Sequence, residues 1–81
     1  MQRTELMNLF QRLASEIAEK DFTSLAEDAT IASLGVDSLA MLEVLGDMER
    51  ELNIRVPDDA LRGVQTVGQL IEVVYRVKQS S

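Results

Sequence analysis

Leu6, Leu9, Phe10, Leu13 and Ile17 recur at intervals of three and four, with polar residues between them. That spacing predicts an amphipathic helix over about residues 4–20. Glu5 suits its start and Lys20 its end through the helix dipole. At about 100° per residue, a second helix over 38–52 places Met41, Val44, Leu45, Met48 and Leu52 on one side. Leu39, Glu43, Gly46, Asp47 and Arg50 fall on the opposite side, with Leu42 at its margin. Val67, Leu70, Ile71, Val74 and Val77 predict a third long helix over 66–78. Thr66-Val67-Gly68-Gln69 in front of that run has the form of a capping box. A short helix is expected over 57–62, with Pro57 in its first position and Asp58 and Asp59 in its opening turn. Leu61 and Val64 then turn inward and Gly63 ends the turn.

Residues 21–36 have no clear period, yet Phe22, Leu25, Ile31 and Leu34 dot them. Apolar residues at such spacing describe a loop pinned onto a bundle rather than a free linker. Asp28-Ala29-Thr30-Ile31 suits the start of a short helical turn. At the end of the loop stands Leu34-Gly35-Val36-Asp37-Ser38-Leu39. Gly35 can take the positive φ of a tight turn. Asp37 suits an N-cap, its carboxylate accepting from helix N–H groups that lack a partner. Ser38 then opens the helix, and an anion attached there is favoured by the dipole and the free N–H groups. The residues alone leave two readings open, a plain helix cap and an anchoring hydroxyl.

Composition narrows the chemistry. Eighty-one residues are expected to form one small domain over 1–81. A chain of this size buries roughly 60% of its unfolded surface, so its core is thin. At 46% hydrophobic the chain has enough for a helical bundle and too much for disorder. Phe10, Phe22 and Tyr75 are its only aromatics, so the core is aliphatic. There is no Cys, hence no disulfide framework and no thiolate nucleophile. There is no His, which excludes a Ser-His-Asp triad and removes the commonest general base and metal ligand. No metal site is expected. Calcium-loop, Walker and Gly-x-Gly-x-x-Gly patterns are absent. No apolar run reaches membrane-span length and the N-terminus does not begin a signal peptide, so the expected place is the cytoplasm.

The formal net charge is −6, and it is uneven. From Asp37 to Asp59 seven acids face two bases, a balance of −5; from Ala60 to Ser81 three bases face Glu72 alone, a balance of +2. Such a surface repels nucleic acid and anionic membranes and attracts basic patches on protein partners. Acids on the second helix also argue against a DNA-reading helix. Leu39 and Leu42 beside Ser38, rimmed by Glu43 and Asp47, suit a small docking patch for an apolar pocket ringed by Lys or Arg. The alternative is that both leucines pack under the preceding loop. Glycine at position 46, in mid-helix, costs about 0.5–1 kcal/mol against Ala; either a partner approaches closely there or the residue has drifted.

Leu-Gly-x-Asp-Ser-Leu, the amphipathic helix behind it and the following Val-Pro-Asp turn resemble the acyl carrier protein family from about Leu6 to Val77. The resemblance implies an all-α, four-helix acyl-carrier-type bundle: three main helices, one short helix and a long first loop. It implies that a phosphopantetheinyl transferase attaches the 4′-phosphopantetheine arm of coenzyme A to Ser38, next to Asp37 and Leu39. The arm's thiol then holds an acyl group as a thioester for loading, condensing, tailoring and release enzymes. It implies that the second helix is the recognition helix, with Leu39, Leu42, Glu43, Gly46 and Asp47 meeting basic patches. The chain is then a monomeric carrier that catalyses nothing itself. Gly46 and Arg50 depart from the family, which often has a larger apolar residue and an acid there. Both departures argue against service to a generic fatty-acid synthase, and the resemblance implies a discrete carrier of fatty-acid or, ahead of it, polyketide or other secondary metabolism. Two alternatives stand beside it: a peptidyl or aryl carrier, which more often shows Gly-Gly where this chain has Gly35-Val36, and an unmodified acidic helical adaptor.

Overall fold

The three long apolar stripes each become a helix. In the computed structural model, which describes residues 2–22 and 25–80 (Ser38 by its backbone alone), α1 spans Arg3–Ala18, α2 Ser38–Leu52 and α3 Val67–Ser80. Two 3₁₀ turns interrupt the connections, Ile31–Leu34 and Asp58–Leu61. Among the described residues the only strand-like pairing is an isolated bridge between Thr30 and Thr66. The fold is all-α. Its centre is Leu6 and Phe10 of α1, Val44 and Met48 of α2, and Val67, Ile71 and Val74 of α3, all fully buried. α1 packs against both other helices. The stripe of α2 is buried as expected except at its first member, Met41, which is half-buried.

The helix ends differ from the periodic reading for local reasons. α1 stops at Ala18, two residues short of Lys20, because Glu19 takes a left-handed conformation (φ 55°) and Lys20 N–H turns back to Ser15 O at 3.2 Å. Phe22 N–H then reaches Ser15 Oγ at 3.3 Å, which brings the Phe22 ring against the core. Lys20 therefore lies beyond the helix instead of capping it. α2 ends where expected, with Asn53 in the left-handed region (φ 55°) that Asn tolerates well. The short helix expected over 57–62 is a 3₁₀ turn over Asp58–Leu61, and Pro57 is its cap rather than its first residue. Its bonds reach back three positions, Ala60 N–H to Pro57 O at 3.0 Å and Arg62 N–H to Asp59 O at 3.3 Å. Ala60, Leu61 and Val64 lean half-buried on the core. α3 runs to Ser80, two residues past Lys78; Gln79 Nε2 donates to the Tyr75 hydroxyl one turn earlier at 2.8 Å.

The long first loop is fixed to the mouth of α3. The first N–H groups of a helix have no helical acceptor. Here Val67 N–H finds Ala29 O at 3.0 Å and Gly68 N–H finds Glu27 O at 2.8 Å, while Ile31 N–H binds Gln65 O at 2.8 Å. The capping box holds as read: Gln69 N–H donates to Thr66 Oγ1 at 3.1 Å and Gln69 Oε1 accepts from Thr66 N–H at 3.0 Å. Gly68 is small for a reason. A Cβ there would lie 3.0 Å from Glu27 Cβ and from Glu27 O, and that carbonyl is held by its own hydrogen bond. Gly68→Ala is therefore expected to destabilise by about 1 kcal/mol despite alanine's better helix propensity, lowering Tm by about 4–8 °C. A rise in Tm on thermal melting would show that the loop gives way freely. Arg3 reinforces the junction through ion pairs with Glu27 and with Glu72, which also meets Arg76. These pairs are partly exposed, and each adds little.

Candidate functional site at the start of α2

The loop delivers the chain to α2 by a sequence of small devices. Thr30 Oγ1 caps the first 3₁₀ turn by accepting from Ser33 N–H at 3.2 Å, and Ser33 Oγ donates back to Thr30 O at 2.7 Å. Gly35 closes the turn with φ 71°, the left-handed conformation expected of it. Lys20 reaches across from the end of α1, its Nζ 3.4 Å from the carbonyls of Leu34 and Gly35. Asp37 then adopts an extended conformation, and its Oδ1 accepts from Ala40 N–H at 2.8 Å. This is the predicted N-cap.

Ser38 is the first residue of α2. Its backbone therefore sits at the positive end of the helix dipole, where the first N–H groups have no helical acceptor. The position of its hydroxyl, which the sequence reading takes as an anchor, lies outside the described residues.

The outward face of α2 is as the periodicity placed it. Leu39 is 72% exposed and Leu42 62%, so neither packs under the loop. Glu43 is exposed and makes no ion pair among the described residues. Gly46 is half-buried, and a Cβ added to it would meet nothing within 4 Å. Asp47 corrects the picture of a bare acidic rim. It is half-buried and ion-paired with Arg50 one turn on. The acid that reaches solvent without a partner on this face is Glu43.

A crevice that no periodicity announces lies beside Asp37. Val36, Met41, Leu42 and Leu45 form one wall, and Ile31, Leu61, Val64 and Leu70 much of the other, around about 720 Å³. The signal was present in the inward-leaning Leu61 and Val64, but their meeting with Val36 across the chain is a tertiary event. No cluster of three acids, His or Cys suited to a metal ion occurs among the described residues.

Residues 5–74 match the family model described as the phosphopantetheine attachment site. The oxytetracycline polyketide synthase acyl carrier protein of Streptomyces rimosus is 34% identical over 70 residues, which is 86% of this chain and 74% of that protein. The acyl carrier protein of Caulobacter vibrioides is 31% identical over 72 residues, 88% of this chain and 92% of its own length. The crystal structure of the acyl carrier protein from Thermotoga maritima superposes with a TM-score of 0.88 at 29% identity, covering 99% of this chain and 94% of that one. The start of α2 suits the group such proteins carry. A serine opens the helix, the first-turn N–H groups favour a phosphodiester, and a largely apolar crevice runs alongside.

Proposed function

This chain belongs to the acyl carrier protein family, and on that premise we propose that it is a discrete shuttle anchored at Ser38. Its role is that of a carrier, and the family's cofactor is 4′-phosphopantetheine. When attached, that arm supplies a terminal thiol able to hold an acyl group as a thioester. The protein's own residues do the rest. The observation that carries the assignment to Ser38 is its place as the first residue of α2, directly behind the Asp37 cap. The helix dipole and the open N–H groups lower the free energy of the negative phosphodiester at that position. Asp37 keeps the first turn in one conformation, so the attachment point is presented the same way to each partner. Incubation with coenzyme A and a promiscuous phosphopantetheinyl transferase tests the reading by intact mass. One phosphopantetheinyl addition supports it, and no addition contradicts it.

The chain itself catalyses no reaction in this reading. It works in the cytoplasm as a monomer, presenting cargo to loading, condensing, tailoring and release enzymes of polyketide or related biosynthesis. What supports the pathway class is the likeness to the Streptomyces rimosus protein together with Gly46 and Arg50 on the face partners meet. Tethering raises the cargo's effective concentration at each active site. A small, charge-steered interface lets the carrier leave quickly.

Docking in this reading uses Leu39, Leu42 and Glu43, with Gly46 and Asp47 at the far end. Glu43→Lys is expected to lower transferase kcat/KM about fivefold or more through loss of steering, with CD and Tm unchanged. Loss of the helical signal would show instead that Glu43 supports the fold.

A further inference from the structure

Two shallow depressions lie end to end along the outer face of α2. The first is bordered by Leu39, Leu42, Glu43, Gly46, Asp47 and Arg50. The second runs along Glu49 and past the helix end to Asn53, Ile54 and Arg55, and it shares Gly46 and Arg50 with the first. Gly46 is thus the saddle between them, and the open space above it has no neighbour within 4 Å of a would-be Cβ. Nothing inside the protein requires a glycine there.

The charge along this groove changes sign. At the serine end stand two exposed leucines and the unpartnered carboxylate of Glu43. At the other end the carboxylates are engaged: Asp47 by Arg50, and Glu49 through Oε2, which accepts from Val56 N–H at 2.7 Å. Of the charged residues lining this end, the two exposed ones are cations, and Glu49 and Asp47 are half-buried. The Arg50 side chain is 78% exposed beside its half-buried partner, and Arg55 is exposed with no ion pair among the described residues. A guanidinium carries five N–H donors, so Arg50 keeps several free after meeting one carboxylate oxygen.

We propose that the partner of this face is a protein segment of mixed charge that crosses α2 over Gly46, its Lys or Arg meeting Glu43 and its Asp or Glu meeting Arg55 and Arg50. The proposal rests on the docking reading above and adds a polarity to it. A uniformly basic partner is attracted at one end and repelled at the other, which is how such a face rejects enzymes built for wholly acidic carriers. The glycine lets the crossing segment approach the helix backbone.

Two synthetic helical peptides with the same apolar stripe test this by NMR titration of the ¹⁵N-labelled 81-residue chain. One carries lysines at both ends, the other lysines at one end and glutamates at the other. Both are expected to shift the amides of Glu43, Gly46 and Arg50. Arg55→Glu is expected to change the ratio of the two dissociation constants about fivefold in favour of the all-lysine peptide. Arg12→Glu changes net charge equally but lies on α1, and it is expected to leave the ratio within about twofold. Gly46→Leu is expected to weaken both peptides while the CD spectrum keeps its helical form. Equal ratio changes for Arg55→Glu and Arg12→Glu would overturn the polarity and leave the docking reading standing. Full-strength binding by Gly46→Leu would overturn the crossing point. If neither peptide moves any α2 amide, the docking face itself is wrong.

Discussion

Ser38→Ala is expected to fold as the parent does and to gain no mass from coenzyme A and a promiscuous transferase. The two halves of that result have separate causes. The start of α2 is held by Asp37 Oδ1 on Ala40 N–H at 2.8 Å and by the left-handed turn at Gly35. Alanine is the best helix former, so the first turn has no reason to fray. The helical CD signal and Tm are therefore expected to stay close to the parent's. Phosphopantetheinylation, by contrast, needs a hydroxyl oxygen at the attachment point. Two other serine hydroxyls are already engaged: Ser33 Oγ donates to Thr30 O at 2.7 Å, and Ser15 Oγ accepts from Phe22 N–H at 3.3 Å. If Ser38→Ala takes up the same mass as the parent, the anchor is elsewhere. If it unfolds, Ser38 has a structural task instead.

Phe10→Ala is expected to cost about 3–5 kcal/mol. Phe10 is fully buried, the bulkiest of the fully buried side chains, in a core otherwise aliphatic. It sits on α1, the helix that packs against both α2 and α3, so the cavity opens where the bundle is joined. A domain of this size has roughly 4–12 kcal/mol of stability in total. The variant is therefore expected to lose a large share of it, with a lower urea midpoint at an unchanged m-value. Leu39→Ala is the internal comparison. At 72% exposure Leu39 is expected to matter by no more than about 0.5 kcal/mol. Equal costs for the two would mean that the apolar stripe of α1 does not face the core.

The helices were legible because their periodicity is strong and their caps are ordinary. Asp37, Thr66 with Gln69, Gly35 and Asn53 each do locally what their chemistry suggests. What was not legible depends on contacts between distant segments or on choices too short to have a period. A single turn at 58–61 carries no 3.6-residue signal, so its 3₁₀ bonding behind Pro57 was unreadable. Glu19 in the left-handed region defies its own preference, and it does so where the chain brings Phe22 onto the core. The Asp47–Arg50 pair has the three-residue spacing that lets side chains meet; it was in the sequence, but only the structure shows that it leaves Glu43 as the free acid. The crevice beside Asp37 needs Val36 and Val64 brought together, which no local pattern specifies.

The central claim is that one oxygen at the start of α2 bears the arm. Loading the native chain with coenzyme A and transferase, digesting it and sequencing the peptides by tandem mass spectrometry locates that oxygen directly. The predicted result is a single phosphopantetheinyl group on Ser38. The group on Ser15, Ser33 or Ser80, with Ser38 unmodified, would contradict the account.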